Sequence, residues 1–402
     1  MQTDVAVIGA GPAGLAFARA LDGTGLDVTL IDPQPAAVLA DPPFDGREIA
    51  LTHHSMAVLE RLGAWARIPA GETAPLRAAR VLNGAGHRSL IFDGAADGRP
   101  LGRLVPNHLI RRALHDAVRE QTSATILDGL KATGIRVRPH GMAVDLEDGR
   151  ALTARLVVAA DTRFSKMREA RGIQADQVDF GKTMLVCRMS HDQVDHGGVA
   201  TEWFGHGQTV ALLPLGGRRS SVVLTLSHAE IARLTALDPV AFADEIMVRL
   251  DGRLGQLQLE STRHGWPLVA VQARRFVGHR FALIGDAAVG MHPVTAHGFN
   301  LGLKSAERLA DGIARAARTD GDIASPLMLH RYEAGHKLTA APLWAATNAI
   351  VGLYTRDDPA ARLARRAVMD LGRGAAPVRR AISALLMDRG RRAEDRPKRL
   401  SA

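Results

Sequence analysis

Asp4-Val5-Ala6-Val7-Ile8-Gly9-Ala10-Gly11-Pro12-Ala13-Gly14 is the stretch that decides the fold. Its first five residues are an apolar run of strand length, and it ends directly in three glycines spaced G-x-G-x-x-G. A helical pattern follows through Leu15, Ala18 and Leu21 and stops at Gly23 and Gly25. Val28-Thr29-Leu30-Ile31 then reads as a second strand, ending at Asp32. Strand, glycine turn, helix, strand and acid, in that order, make the dinucleotide-binding βαβ pattern. Gly9 permits the tight turn, Gly11 lets the backbone approach a pyrophosphate, and Gly14 lets the helix pack closely on the strand. The helix N-terminus offers unpaired N–H groups and a positive dipole end to phosphates. Asp32 would accept hydrogen bonds from ribose hydroxyls. The alternative is a purely structural glycine turn, and the motif alone does not separate FAD from NAD.

A second stretch points to FAD. Arg280-Phe281-Ala282-Leu283-Ile284 is another strand-length run, and it delivers Gly285-Asp286-Ala287-Ala288. After Pro293, Gly298-Phe299-Asn300-Leu301-Gly302 opens a long helical pattern through Ile313. Asp286 is placed to hold a ribityl or ribose hydroxyl. A helix starting at Gly298 beside Asn300, aimed at the N1–C2=O edge of a flavin, would stabilise the anionic reduced ring.

Composition limits the alternatives. A chain of 402 residues with 46% apolar and 23% charged residues has the make-up of an ordinary globular protein of two or three domains. No run reaches the ~18–20 uninterrupted apolar residues of a membrane span, and the N-terminus lacks a signal-peptide pattern. Cys187 is the only cysteine, so no intrachain disulfide or Cys-based metal cluster is expected, and a packed core thiol is the expected role. These features predict a cytoplasmic protein. The net charge of +9 is uneven: residues 356–402 hold thirteen Lys/Arg against six Asp/Glu, which leaves only +2 for the first 355. A general basic surface for nucleic acid is therefore not expected.

The motifs together resemble the single-component FAD aromatic hydroxylases related to p-hydroxybenzoate hydroxylase, and within them the ubiquinone-biosynthesis hydroxylases. Beside Gly9, Gly11, Gly14 and Asp32, the matching residues are Arg47-Glu48-Ile49-Ala50-Leu51-Thr52, Asn107-His108-Leu109-Ile110-Arg111, and Val157-Val158-Ala159-Ala160-Asp161. Ala211-Leu212-Leu213-Pro214-Leu215 and Trp266-Pro267-Leu268 are similar to landmarks of the family's substrate sheet, and the Gly285–Gly302 segment completes the set. Three departures mark a distinct branch, one that resembles the demethoxyubiquinol hydroxylases. Asp161 is followed by Thr162-Arg163 instead of Gly, Val289 stands where His is usual, and Ala296-His297-Gly298 replaces Gly-Gln-Gly.

The resemblance implies an α/β fold: a Rossmann-like FAD-binding domain, discontinuous over 1–172 and 270–340, and an antiparallel β-sheet substrate domain inserted at 173–269. Residues 341–402 would form a helical basic tail. Strand-length runs at 182–189, 200–204, 209–215 and 220–226, with a helix at 238–250, support the inserted sheet. The resemblance also implies tightly bound FAD, NAD(P)H as a transient reductant, and transfer of oxygen from O2 to an electron-rich phenol through a flavin C4a-hydroperoxide. With a single nucleotide fingerprint in the chain, the NAD(P)H would have no Rossmann site of its own. The expected cofactor contacts are Gly9, Gly11, Gly14, Asp32, Arg47, Arg111, Asp161, Asp286, Gly298 and Asn300. His292 and His297 are candidates for proton handling near the flavin edge, and Pro293 shapes the pocket. No metal motif is present.

The expected substrate is a prenylated phenol on the way to ubiquinone. In the tail, 360–371 and 378–386 read as basic amphipathic helices, suited to an anionic membrane surface at its inner face or to a quinone-biosynthesis complex, or else packed on the body. The competing functions are an FAD-dependent reductase or hydroxylase of another aromatic or isoprenoid substrate, and a non-catalytic flavoprotein subunit.

Overall fold

A computed structural model of the chain describes residues 1–84, 89–93, 99–193, 195–205, 208–355 and residue 388. The elements that position the site begin with β1 (Gln2–Ile8), α1 (Pro12–Ala20), β2 (Val28–Asp32) and β3 (Glu48–Leu51). Then come β4 (Ala78–Asn83), β5 (Ser89–Asp93), α2 (Asn107–Arg119), β6 (Ala124–Asp128) and β7 (Ala151–Ala159). The middle of the chain holds β8 (Ala175–His191), β9 (Val199–Gly205), β10 (Gln208–Pro214), β11 (Arg219–Ser227), α3 (His228–Ala236), α4 (Pro239–Arg249) and β12 (His264–Ala273). It closes with β13 (Phe281–Leu283), β14 (Val289–Gly290), α5 (Gly298–Ala317) and α6 (Pro326–Thr355).

Two large sheets organise these elements. The first has a parallel core in the order β13-β7-β1-β2-β6. Its central strand is covered on both faces, with Val5, Ala6 and Val7 at 0% exposure, which explains a continuous apolar run where a half-buried strand would alternate. Gly9 turns the chain at φ +107°, and a Cβ there would lie 2.5 Å from the carbonyl oxygen of Ala160. A Cβ at Gly14 would stand 2.0 Å from the Gly9 carbonyl oxygen, so α1 sits on β1 at a distance only glycine allows. The tight turn expected at Gly9 and the close helix packing expected at Gly14 are both present.

The second sheet runs β14-β12-β8-β11-β10-β9-β4-β5. It corrects the expected architecture in two respects. β4 and β5 come from residues 78–93, inside the segment assigned to the FAD-binding unit, and β4 pairs with β9 in parallel, so the sheet is mixed where an antiparallel one was expected. One face of it is sealed by α3 and α4, whose Ile231, Leu234, Phe242 and Ile246 pack on Leu185, Cys187, Val222 and Leu224. Both helices start where the sequence caps them. The Ser227 hydroxyl accepts the Glu230 N–H, and the Asp238 carboxylate accepts those of Val240 and Ala241 ahead of a first-turn Pro239. Cys187 is fully buried there and its thiol is pushed up to about 12 by burial, the inert core thiol expected.

The expected division at 340/341 is also crossed, because α6 runs on to Thr355. The two amphipathic segments at 360–371 and 378–386 lie outside the described residues. Asp388 is described: its carboxylate pairs with Lys304 at 2.8 Å, and its carbonyl accepts the His54 N–H. No helix among the described residues is long and apolar enough to cross a membrane.

α6 carries the most deeply buried histidine. His336 has no exposure, neither ring nitrogen has a hydrogen-bond partner among the described residues, and the ring stacks on Tyr332 at 5.9 Å. Burial, with Arg308 and Lys304 adding to it, lowers its pKa to about 3. An unfolded histidine titrates near pH ~6.5. Below that pH the unfolded chain takes up a proton that the folded chain refuses, so stability falls as the solution is acidified toward the folded pKa. His336→Leu is expected to flatten the dependence of Tm on pH below about 6.5 without lowering Tm under alkaline conditions. An unchanged acid slope would assign that sensitivity elsewhere.

Candidate functional site

The carboxyl ends of β1, β2 and β7 and the N-termini of α1 and α5 converge on one region between the two sheets. At the first edge, Gly11 is the N-cap of α1, and a Cβ placed on it meets nothing within 4 Å. The neighbours of this turn are tight at Gly9 and Gly14 but open at Gly11, the shape of a cradle whose wall is bare backbone. Asp32 braces the turn: one carboxylate oxygen accepts the Ala10 N–H at 2.7 Å and the other accepts the Gln34 N–H at 2.9 Å.

Arg111, on α2, is half-buried and makes no hydrogen bond or ion pair with the described residues. Burial lowers its pKa, with Arg47 adding to the effect and Asp45 and Asp32 opposing it. A guanidinium held this way beside an open helix N-terminus is suited to an anion. Arg47 is committed differently. It forks onto Asp45 at 2.6 Å and lies 4.6 Å over the Trp266 ring. Burial works against the Asp45 carboxylate, but Arg47 and the Asn107 amide together outweigh it and hold the carboxyl below its usual range.

On the opposite edge, β7 ends at Asp161. Burial raises its pKa, and its Oδ1 is buried without a hydrogen-bond partner among the described residues. Arg163, the departure from the family pattern, is a cross-brace: its guanidinium donates to the Val269 carbonyl at 2.7 Å and to the Asp286 carboxylate at 2.8 Å. His292 caps the short turn at Pro293–Thr295, with Nδ1 accepting the Val294 N–H. Burial, then Arg163 and Lys182, lowers its pKa to about 4. At neutral pH it is therefore uncharged, with its hydrogen on Nε2, which suits it to donate a hydrogen bond and not to act as an acid. Phe180 meets it edge-on at 4.8 Å.

His297 is buried at the N-cap of α5, and the first position of that helix, Gly298, is open to a Cβ. Asn300 spends its amide on backbone. Its oxygen accepts the Thr52 N–H, and its nitrogen donates to the carbonyls of Ala50 and Ala296. It thus ties α5 to the end of β3, a positioning task not read from the motif.

Sequence reasoning also missed a pair beneath the site. Glu48 on β3, whose side chain is 1% exposed, binds Arg188 on β8 at 2.7 Å, and Arg188 lies 4.9 Å over Phe44. Burial raises the Glu48 pKa despite Arg188. An arginine in the interior of an otherwise apolar strand was the available clue.

Comparison with known proteins agrees with this geometry. The FAD binding domain family matches residues 2–346. The ubiquinone hydroxylase UbiM of Neisseria meningitidis is 44% identical over 388 residues, covering 95% of this chain and 84% of that protein. The ubiquinone hydroxylase UbiL of Rhodospirillum rubrum is 34% identical over 363 residues, covering 90% and 84%. Among solved structures, the p-nitrophenol 4-monooxygenase PnpA from Pseudomonas putida has a TM-score of 0.76 at 21% identity, covering 97% of this chain and 99% of that one, a likeness of fold. A glycine turn with an open cradle, an uncommitted guanidinium and a buried orphaned carboxylate oxygen are what a bound FAD would complete, and the protein is an FAD-dependent flavoprotein monooxygenase. The chain belongs to the FAD binding domain family and, within it, groups with the ubiquinone-biosynthesis hydroxylases.

Arg111→Met is expected to weaken FAD by about 10- to 100-fold, the loss of one hydrogen bond to a charged group. FAD titration followed by quenching of flavin fluorescence measures it. Affinity equal to wild type would leave Arg111 without a phosphate to hold.

Proposed function

We propose that this protein hydroxylates the aromatic ring of a polyprenylated phenol in ubiquinone biosynthesis, consuming O2 and NAD(P)H. The observation that supports the reading is an apolar sheet face beside His292: Phe180, packed on His292, continues into Met184, Val186, Leu268 and Val223. Such a wall suits a hydrophobic ring and excludes water from the reaction.

In this reading Gly9, Gly11, Gly14 and the start of α1 hold the pyrophosphate, with Arg111 neutralising it and Asp32 taking the ribose. Arg47 orders Asp45 at the entrance. Asp161 and Asp286 take hydroxyls of the ribityl side, Asp286 being held by Arg163. Gly298 and the start of α5, fixed by Asn300, face the ring system. Bound FAD supplies the reduction by NAD(P)H and the activation of O2. His292, neutral, donates from Nε2 and orients the substrate hydroxyl, with His297 and Pro293 shaping the same wall. Residues 356–402, carrying most of the net positive charge, are the segment proposed to meet an anionic membrane surface or a partner.

The test is NAD(P)H oxidation by FAD-loaded protein with a short-chain prenylphenol, with the product identified by mass spectrometry. A ring-hydroxylated product is expected. Flavin that is reduced and reoxidised without any hydroxylated product would overturn the assignment, and flavin never reduced by nicotinamide would favour a non-catalytic subunit.

A further inference from the structure

The second sheet has two unlike faces. Trp203, Val210, Leu212, Val222 and Leu224, which point toward α3 and α4, are buried, whereas Glu202, Ala211, Leu213 and Val223 on the other face keep part of their surface, so this face borders a cleft. Across it Val186, Val223, Ala211, Glu202 and Val81 stand in register, one from each of five adjacent strands. Four are hydrocarbon and the fifth is a carboxyl. The row joins the proposed ring site through Val186 and Val223, which pack with Met184 and Phe180.

Glu202 makes no hydrogen bond or ion pair with any described residue. It keeps part of its surface toward the cleft, and desolvation, the only influence on it among the described residues, raises its pKa to about 8, so it carries its proton at neutral pH. The side chains on its face of the two flanking strands are Ala79, Val81 and Asn83 on β4 and Thr209, Ala211 and Leu213 on β10, none of them titratable. Among the described residues, no charged group on any other element acts on it. A carboxyl kept without a partner on an apolar wall costs stability, and a ligand that hydrogen-bonds to it removes that cost.

We propose that the Glu202 carboxyl selects the substrate, hydrogen-bonding a ring oxygen of an uncharged phenol, while the lack of a cation beside it among the described residues turns away aromatic carboxylates. This deepens the monooxygenase reading and rests on it for the identity of the cleft. A site built around one such hydrogen bond discriminates strongly, because the unmatched ligand leaves the buried group unpaired.

The experiment titrates the FAD-loaded full chain with an uncharged short-chain prenyl methoxyphenol and with 4-hydroxybenzoate, reading the flavin absorbance change. Wild type is expected to bind the phenol at least about tenfold more tightly than the carboxylate. Glu202→Gln, which keeps a neutral donor, should stay within about threefold of wild type for the phenol, and Glu202→Leu should lose about tenfold or more with FAD loading unchanged. Phenol affinity should fall between about pH 7 and pH 9 in wild type and not in Glu202→Gln. Equal binding of the two ligands, wild-type affinity in Glu202→Leu, or a persisting alkaline loss in Glu202→Gln would each overturn the proposal. The Gln arm decides the matter should the Leu variant fail to load FAD. Product analysis on the same samples separates the two readings. Hydroxylated product with phenol affinity unchanged in Glu202→Leu removes only the role of Glu202. The expected binding pattern without any product removes only the hydroxylase assignment.

Discussion

Gly11→Val is expected to yield a folded protein that carries no flavin. The position tolerates a side chain as far as the protein is concerned, because a Cβ there meets no atom within 4 Å and the backbone is extended at φ −74°. What the valine fills is the space in front of the N–H groups of α1. Losing two hydrogen bonds to a diphosphate is worth about 3–6 kcal/mol, or about two orders of magnitude or more in FAD affinity. Gly14→Ala, three residues on, should behave in the opposite way: its Cβ would sit 2.0 Å from the Gly9 carbonyl oxygen, so α1 must lift off β1 and the fold itself suffers. Far-UV circular dichroism and bound flavin, measured on both variants, separate the two outcomes. A yellow, fully loaded Gly11→Val protein would sink the placement of the pyrophosphate.

Arg188→Met is expected to be the most destabilising single change in the body of the molecule. It strands the Glu48 carboxylate, 1% exposed, between the two sheets without a cation. Breaking a buried pair by removing one partner costs about 3–5 kcal/mol, whereas replacing both can be neutral. The double variant Glu48→Gln/Arg188→Met should therefore recover most of the loss in urea unfolding. If it recovers none, the packing of the guanidinium on Phe44 is the larger contribution and the ion pair is incidental.

How much of this was legible in the sequence varies with the range of the interaction. The βαβ unit could be read residue by residue because its constraints are local. Gly9, Gly11 and Gly14 answer to contacts within one turn and one strand, and Asp32 follows at the end of the adjacent strand. β9, β10 and β11 of the second sheet were found to within a residue for the same reason, whereas β8 begins seven residues before the expected 182 and β4 and β5 were not seen, since nothing in residues 78–93 states that they pair with residue 199 onward. Arg163 was noted as a departure, yet its hold on Asp286 joins positions far apart in sequence and could not be seen. The same applies to Asn300, whose partners lie on β3. Glu202 carried a weak local clue, a carboxylate at an inward position of an alternating strand, and strand alternation alone does not say which face is closed. The histidines taken for titrating groups show the reverse limit: burial lowers the pKa of His292 to about 4, and burial is a property of the fold.

The parallel pairing of β4 with β9 has a consequence for how the molecule is made. Synthesis delivers Ala78–Asn83 roughly a hundred residues before the strand that completes its edge, so the ribosome releases an apolar ribbon that must wait for its neighbour. The dinucleotide half cannot close first and leave the other half as a separate module, because each holds a length of the other's chain. Excising residues 173–269 would leave β4 with a raw edge, and cutting the gene at that boundary would divide a sheet instead of a linker. The molecule is threaded as one garment, and its halves do not come apart at a seam.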